Sequence, residues 1–201
     1  MKYSFSLLFS LLITIRVFSQ LPVFEWANQC GNPPNTTDTK TTLASGQDGH
    51  FFLSGEFLDT AEFGNKVIVS AGGTDIFLVK YTEEGEAVWT NRIGSTDYDF
   101  IQKIIVDEDG NVIVTGYFYG STQIGQDQYT SYGSQDVFIA KFDSEGTFLW
   151  SYRAGGPMAD YITGLTLDSD QNVVIAGYFY DMISFGDSTI SAVSSSDIFL
   201  A

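Results

Sequence analysis

Short runs of alternating apolar and polar residues, broken by Gly and Asp, fill the chain after its first twenty residues. FIQKIIVD (Phe100–Asp107) is a short β-branched run, followed by the turn residues EDG. NVIVTGYF (Asn111–Phe118) alternates around a glycine, which predicts a close contact or a bend inside a strand. In the EDG turn, Asn111 is the residue expected to accept a positive φ. A polar, Gly-containing excursion with room for one short strand comes next. DVFIAKFD (Asp136–Asp143) then alternates, SEG turns, and TFLWSYRAG supplies a fourth strand. No stretch beyond the N-terminal segment sustains the 3.6-residue apolar period of a capped helix, so the pattern predicts an all-β chain.

The same pattern is written three times. Gly55, Gly116 and Gly177 are separated by steps of 61 residues, and so are Phe57, Phe118 and Phe179. Gly64, Gly125 and Gly186 keep the step, as do Asp75, Asp136 and Asp197, and Phe77, Phe138 and Phe199. Lys80 and Lys141, Gly85 and Gly146, and Trp89 and Trp150 also match, while Trp26 precedes Trp89 by 63, placing two extra residues near Asn32-Pro33-Pro34. A unit of four short antiparallel strands has two faces and two edges, and cannot keep both faces dry alone. Radial stacking of such units, as blades of a β-propeller, covers the faces and shortens the free edges. Tandem sandwiches need more strands per unit, and a β-solenoid repeats over shorter lengths. The expectation is an incomplete propeller of about three blades, at about 26–88, 89–149 and 150–201.

DVFIAKFDSEGTFLWSYRAGG followed by DYITGLTLDSDQNVVIAGYF resembles the bacterial SBBP-type β-propeller repeat of secreted and surface proteins. The resemblance covers nearly everything after residue 20. It departs at Gly46 and His50 in the first copy and at Gln171 in the third. It implies a fold and no particular reaction.

Two features concern the ends. MKYSFSLLFSLLITIRVFSQ has the basic start, the apolar run from Phe5 to Ile15 and the small residue Ser19 of a cleaved secretory signal (1–19), and the run is too short to span a bilayer. The chain is therefore expected outside the cell or on its outer surface, with no membrane span after cleavage. The last copy stops at Ala201, inside what is a strand in the other copies, which predicts a fragment of a longer protein. FEWANQCG matches the fourth strand AVWTNRIG and FLWSYRAG without a blade of its own; in a closed ring it would complete the last blade.

Composition narrows the chemistry. Twenty-five acidic against nine basic residues give a formal charge of −16, which excludes nucleic acid as a partner because phosphate binding needs a basic face. Cys30 is the only cysteine, so the chain forms no internal disulfide, and it aligns with the apolar Ile93 and Ala154. His50 is the only histidine and aligns with the turn residues Asn111 and Asn172. Cys–His and Ser–His–Asp sites are thereby disfavoured, and no zinc, phosphate-loop or nucleophile-elbow motif occurs.

Asp38, Asp99 and Asp160 also fall on the repeat, just before the innermost strand. Around a ring they would form a crown of carboxylates able to draw Ca²⁺; against this, each Asp can hold backbone N–H groups, the expected use of a residue locked to the repeat. Asp107-Glu108-Asp109-Gly110-Asn111 resembles the start of a calcium loop but has Phe118 where the closing carboxylate belongs, and reads as a hairpin turn. Tyr117-Phe118-Tyr119 and Tyr178-Phe179-Tyr180 offer rings for sugars around a core Phe, whereas the first copy has Glu56-Phe57-Leu58. No cofactor and no catalytic residue is expected. The functional expectation is a non-catalytic binding or scaffold module for an extracellular glycan or protein. The alternative is the N-terminal part of an exported carbohydrate-active hydrolase or lyase, and a ligand-free structural repeat is a third reading.

Overall fold

The structure, a computed structural model, describes residues 27, 40–46 and 48–201. The expected signal segment 1–19, Trp26, Cys30 and Asp38 lie outside the described residues. Every regular element among those described is a β-strand, and neighbouring strands pair antiparallel. No helix there is long and apolar enough to cross a membrane.

Three separate sheets follow one another along the chain. The first joins β1 (Thr41–Ser45), β2 (Phe51–Phe57), β5 (Asp75–Tyr81) and β6 (Ala87–Ile93) in the order β1-β2-β5-β6, with a small hairpin of β3 (Thr60–Phe63) and β4 (Lys66–Val69) between β2 and β5. The second is β7 (Asp99–Val106), β8 (Val112–Ile124), β9 (Asp127–Phe142) and β10 (Phe148–Ala154), in that spatial order. The third is β11 (Asp160–Leu167), β12 (Val173–Phe185) and β13 (Ser188–Leu200). The four-strand unit read from the repeat is thus the unit of pairing. Trp89 and Trp150 fall inside β6 and β10, so the sheets change over at Gly94 and Gly155, not at the tryptophans.

The excursion between the second and third strands of a copy is a projecting ribbon: β8 and β9 continue through it to the pair Ile124–Asp127. The ribbon leaves the body of the sheet at a bulge, where Tyr119 pairs Gln135 but Ser121 pairs Thr130. The bulged residue is left-handed in the second and third copies, Gly120 at φ 60° and Asp181 at 64°, and so is Asp59 at 66°, the same repeat position in the link between β2 and β3. Polar composition showed room for only one short strand here because few residues of the ribbon are apolar, although those that face inward, Ile124 and Ile183, are fully buried in the shared cores.

The sheets dry their faces on one another. Phe52, Ile76, Leu78 and Ile93 of the first sheet share a core with Ile101, Val114, Phe118 and Phe138 of the second. Val137 and Ala154, on the other side of the second sheet, pack with Ile162, Ile175, Phe179 and Ile183 of the third. The first strands lie side by side, β1 against β7 and β7 against β11. The glycine inside β2, β8 and β12 makes the close contact its sequence implies. Gly55, Gly116 and Gly177 each face the ring of their cross-strand partner, Phe77, Phe138 and Phe199.

Polar ties also cross between sheets. Trp89 Nε1 and Lys80 Nζ both donate to the carbonyl of Ser144 (3.0 and 3.1 Å), and Asn91 Nδ2 donates to that of Gly146 (2.6 Å). The equivalent Lys141 instead pairs with Asp107 in its own sheet at 2.7 Å. Lys80 has Gly46 where Lys141 has Asp107, and its ammonium lies between Asp48 of its own unit at 3.7 Å and the Ser144 carbonyl of the next sheet.

The turn before β8 corrects one expectation. Asp107 accepts hydrogen bonds from the N–H groups of Asp109 and Asn111 and from Asn111 Nδ2 (3.0, 2.8 and 2.9 Å), but the left-handed residue is Gly110 at φ 80°, not Asn111. Asn111 is held to Asp107 by its side chain and enters the strand directly. In the third copy Gln171 occupies the left-handed place at φ 64°. A side chain there costs about 1 kcal/mol or more, partly offset by the extra chain entropy of glycine. Gln171→Gly is therefore expected to stabilise the fold by about 0.5 kcal/mol, read as a higher urea midpoint with an unchanged slope.

Candidate functional site

Two groups of side chains repeat from sheet to sheet without belonging to the apolar core: a set of buried carboxylates and a band of aromatic rings.

The carboxylates act on the backbone. Oδ2 of Asp75, Asp136 and Asp197 accepts the N–H four residues earlier, from Ala71, Tyr132 and Val193 (2.8, 3.1 and 2.6 Å). Asp99 and Asp160, at the starts of β7 and β11, do the same with Ser95 and Gly156 (3.1 and 2.9 Å). Asp75, Asp99, Asp136 and Asp160 are fully buried. Arg92 and Arg153 reach Asp75 and Asp136 at 2.9 and 3.2 Å. A point one Cβ bond from Gly94 lies 2.6 Å from Asp75 Oδ1 and 2.9 Å from Asp99 Oδ2, so only a glycine lets these two acids share the junction. Oδ1 of all four acids lacks a hydrogen-bond partner. Each junction therefore buries two carboxylates against one guanidinium. Burial pushes Asp99 and Asp160 up to about 7, helped by Asp75 and Asp97 at the first and by Asp136 at the second. Asp136 is raised to about 6 by burial, against the pull of Tyr132 N–H and Arg153. Asp99 and Asp160 thus occupy separate junctions, each turned toward its own link. Among the described residues no group of three His, Cys, Asp or Glu side chains is arranged to hold a metal ion.

The rings form a continuous band. Phe100 and Tyr117 are cross-strand partners, stacked at 4.9 Å and 21°. Tyr161 and Tyr178 repeat the arrangement in the third sheet at 4.7 Å and 22°. Tyr117 meets Tyr161 edge to face at 5.5 Å and so joins the sheets. Tyr119 and Tyr180 stand edge-on beside Tyr117 and Tyr178 at 6.2 Å each. The two-residue period of a strand puts Tyr117 and Tyr119 on one side and Phe118 on the other. Phe118 and Phe179 are core, while Tyr119 and Tyr180 are each 36% exposed and Leu58, the same position in the first sheet, is 39% exposed. Burial pushes Tyr117 up to about 12, with Glu56 and the neighbouring phenols adding to it, and Tyr119 and Tyr178 are raised for the same first reason. Tyr117, Tyr119 and Tyr178 thus stay protonated, able to donate and accept hydrogen bonds, and carry no charge.

A groove of about 720 Å³ lies farther out, between Tyr129, Tyr132, Tyr152 and Arg153 on one side and Ser184 and Gly186 on the other. Arg153 stacks 3.7 Å above Tyr132 and bonds the Thr130 carbonyl as well as Asp136, so its charge is already engaged.

Sequence reasoning found Tyr117, Tyr119, Tyr178 and Tyr180 but not Phe100 and Tyr161, whose place in the band follows from the register of β7 on β8 and β11 on β12. It found Asp99 and Asp160 but not their meeting with Asp75 and Asp136. The equal steps Asp75 to Asp136 and Arg92 to Arg153 were the available signal.

Comparison with known proteins agrees with the repeat character. No family model matches the chain. It is 28% identical over 131 residues to an uncharacterized WD repeat-containing protein of Acanthamoeba polyphaga mimivirus, covering 52% of this chain and 9% of that protein. It is 27% identical over 140 residues to the regulatory protein FlaEY of Caulobacter vibrioides, covering 66% of this chain and 15% of that one. The chain thus spans a small part of the length of either relative.

Proposed function

We propose that the chain is part of a β-propeller, of the SBBP or a WD-like type, that works outside the cell as a non-catalytic scaffold and presents a binding face. The aromatic band carries this reading. It crosses from one sheet to the next, exposes its outer rings Tyr119 and Tyr180, and offers apolar faces with phenol hydroxyls suited to contact. The WD-repeat relative supports the propeller, and the serial burial of sheet on sheet is the packing such a ring requires. The four buried junction carboxylates, Asp75, Asp99, Asp136 and Asp160, are engaged with backbone N–H groups and arginines and are not presented at the surface. The test is a solid-phase screen of the purified protein against immobilised polysaccharides and polypeptides, assayed together for retention and for release of sugar or peptide. Retention without release is expected. Product release, or retention on no surface of either kind, overturns the reading.

A further inference from the structure

We propose that the row Leu58–Tyr119–Tyr180, backed by the Phe100, Tyr117, Tyr161 and Tyr178 rings, is a binding platform for a neutral polysaccharide chain. This rests on the binding-scaffold reading above and names the ligand of that same face.

Four observations select this ligand class. The three exposed side chains hold one position of the repeat in three successive sheets, so the surface recurs at intervals, as a polymer does and a single small molecule does not. The rings are fixed: Tyr119 is braced edge-on by both Phe100 and Tyr117 (6.1 and 6.2 Å), and Tyr180 by Tyr178. A braced ring loses little freedom on contact, which favours weak, repeated stacking. The platform also pairs apolar faces with phenol hydroxyls; a sugar ring likewise has an apolar C–H face and a rim of hydroxyls. Finally, the protein is strongly acidic, at −16, and Glu56 lies next to Tyr117, so polyuronates and sulfated glycans are repelled. Flat apolar ligands without hydroxyls would leave the phenols unsatisfied. Binding of a glycan here is non-covalent and changes no bond.

The test is affinity electrophoresis and calorimetry of the described chain with soluble neutral β- and α-glucans, xylan and galactan, with polygalacturonate and heparin as anionic controls. At least one neutral polymer is expected to retard the protein, and the anionic polymers are not. Tyr119→Ala and Tyr180→Ala are each expected to weaken that binding about tenfold, the loss of roughly one stacking contact, and the double variant further. Both are surface changes; their urea midpoints, expected near that of the parent, separate lost binding from lost folding. Tyr119→Phe should retain most of the affinity if stacking dominates. Retardation by the anionic polymers instead, or equal affinity of the alanine variants, overturns the assignment. Retention on immobilised polypeptide with no neutral glycan bound overturns it too, but leaves the scaffold reading standing.

Discussion

Gly116→Ala will destabilise the protein by about 3 kcal/mol or more, although the substitution adds one methyl group and suits most strands. The new Cβ would lie 2.5 Å from Cε1 of Phe138 and closer still to the carbonyl oxygen of Phe100. Neither neighbour can give way. The Phe138 ring is fully buried in the core shared by the first two sheets, and Phe100 O belongs to the paired strand β7. The backbone at Gly116 is ordinary for a strand, so the penalty is one of space rather than of φ. Gly177→Ala meets the same wall at Tyr161 O and Phe199, and should cost a similar amount. By contrast, Gly64→Ala meets no neighbouring atom within 4 Å, and its cost is limited to the strain of φ 62°. Urea unfolding followed by tryptophan fluorescence measures all three. An alanine at 116 that shifts the midpoint no more than the one at 64 would contradict the packing described for the glycine.

The protein is also expected to be more stable at pH 5 than at pH 8. Asp99 and Asp160 are held near 7 in the folded chain against 3.8 when unfolded. Between those values the folded state binds more protons, so stability falls as pH rises from about 4 to about 7 and then levels. Burial of the charge is the main cause at both. At Asp99 the neighbours are Asp75, Asp97, Arg92 through Asp75, and the Thr122 hydroxyl; at Asp160 they are Asp136 and, through it, Arg153. Asp136, raised to about 6, adds in the same direction. The opposite sign applies to Asp107, held below the usual range chiefly by Lys141 and Asn111 against the cost of its burial. Its stabilisation is present above the unfolded pKa and is lost only in stronger acid. The optimum therefore falls at about pH 4–5, and the difference between pH 5 and pH 8 amounts to a few kcal/mol. Asp99→Asn keeps an acceptor for Ser95 N–H without the charge. It should raise stability at pH 8, leave it nearly unchanged at pH 5, and flatten the slope between. Stability that is constant or rises from pH 5 to pH 8 would show that the junction acids are not held protonated.

The strands, their antiparallel order and the three-fold unit were legible because each copy carries its own alternation and turn residues. A glycine inside an alternating strand pointed to a close contact or a bend at Gly116, and the structure shows the contact. What stayed hidden depends on register or on distant approach. The β8–β9 ribbon carries too few apolar residues to show a period. Phe100 joins the aromatic band only because β7 slips past a bulge between Ile101 and Lys103 to set Phe100 opposite Tyr117. Asp75 and Asp99 are brought together by the missing side chain at Gly94, which no local pattern announces. The left-handed residue before β8 was misplaced by one position because Asn and Gly both suit it; the Asp107–Asn111 hydrogen bond decides between them.

The ties from Trp89, Lys80 and Asn91 to the 144–146 turn have a direction: every donor belongs to the sheet made earlier, every acceptor to the one made later. During synthesis the first sheet can be complete, with its three donors in place, before the second sheet's outer turn leaves the ribosome. The nascent second sheet thus meets a finished template, and a circularly permuted version that reverses this order would have to form the same bonds with both partners still unformed.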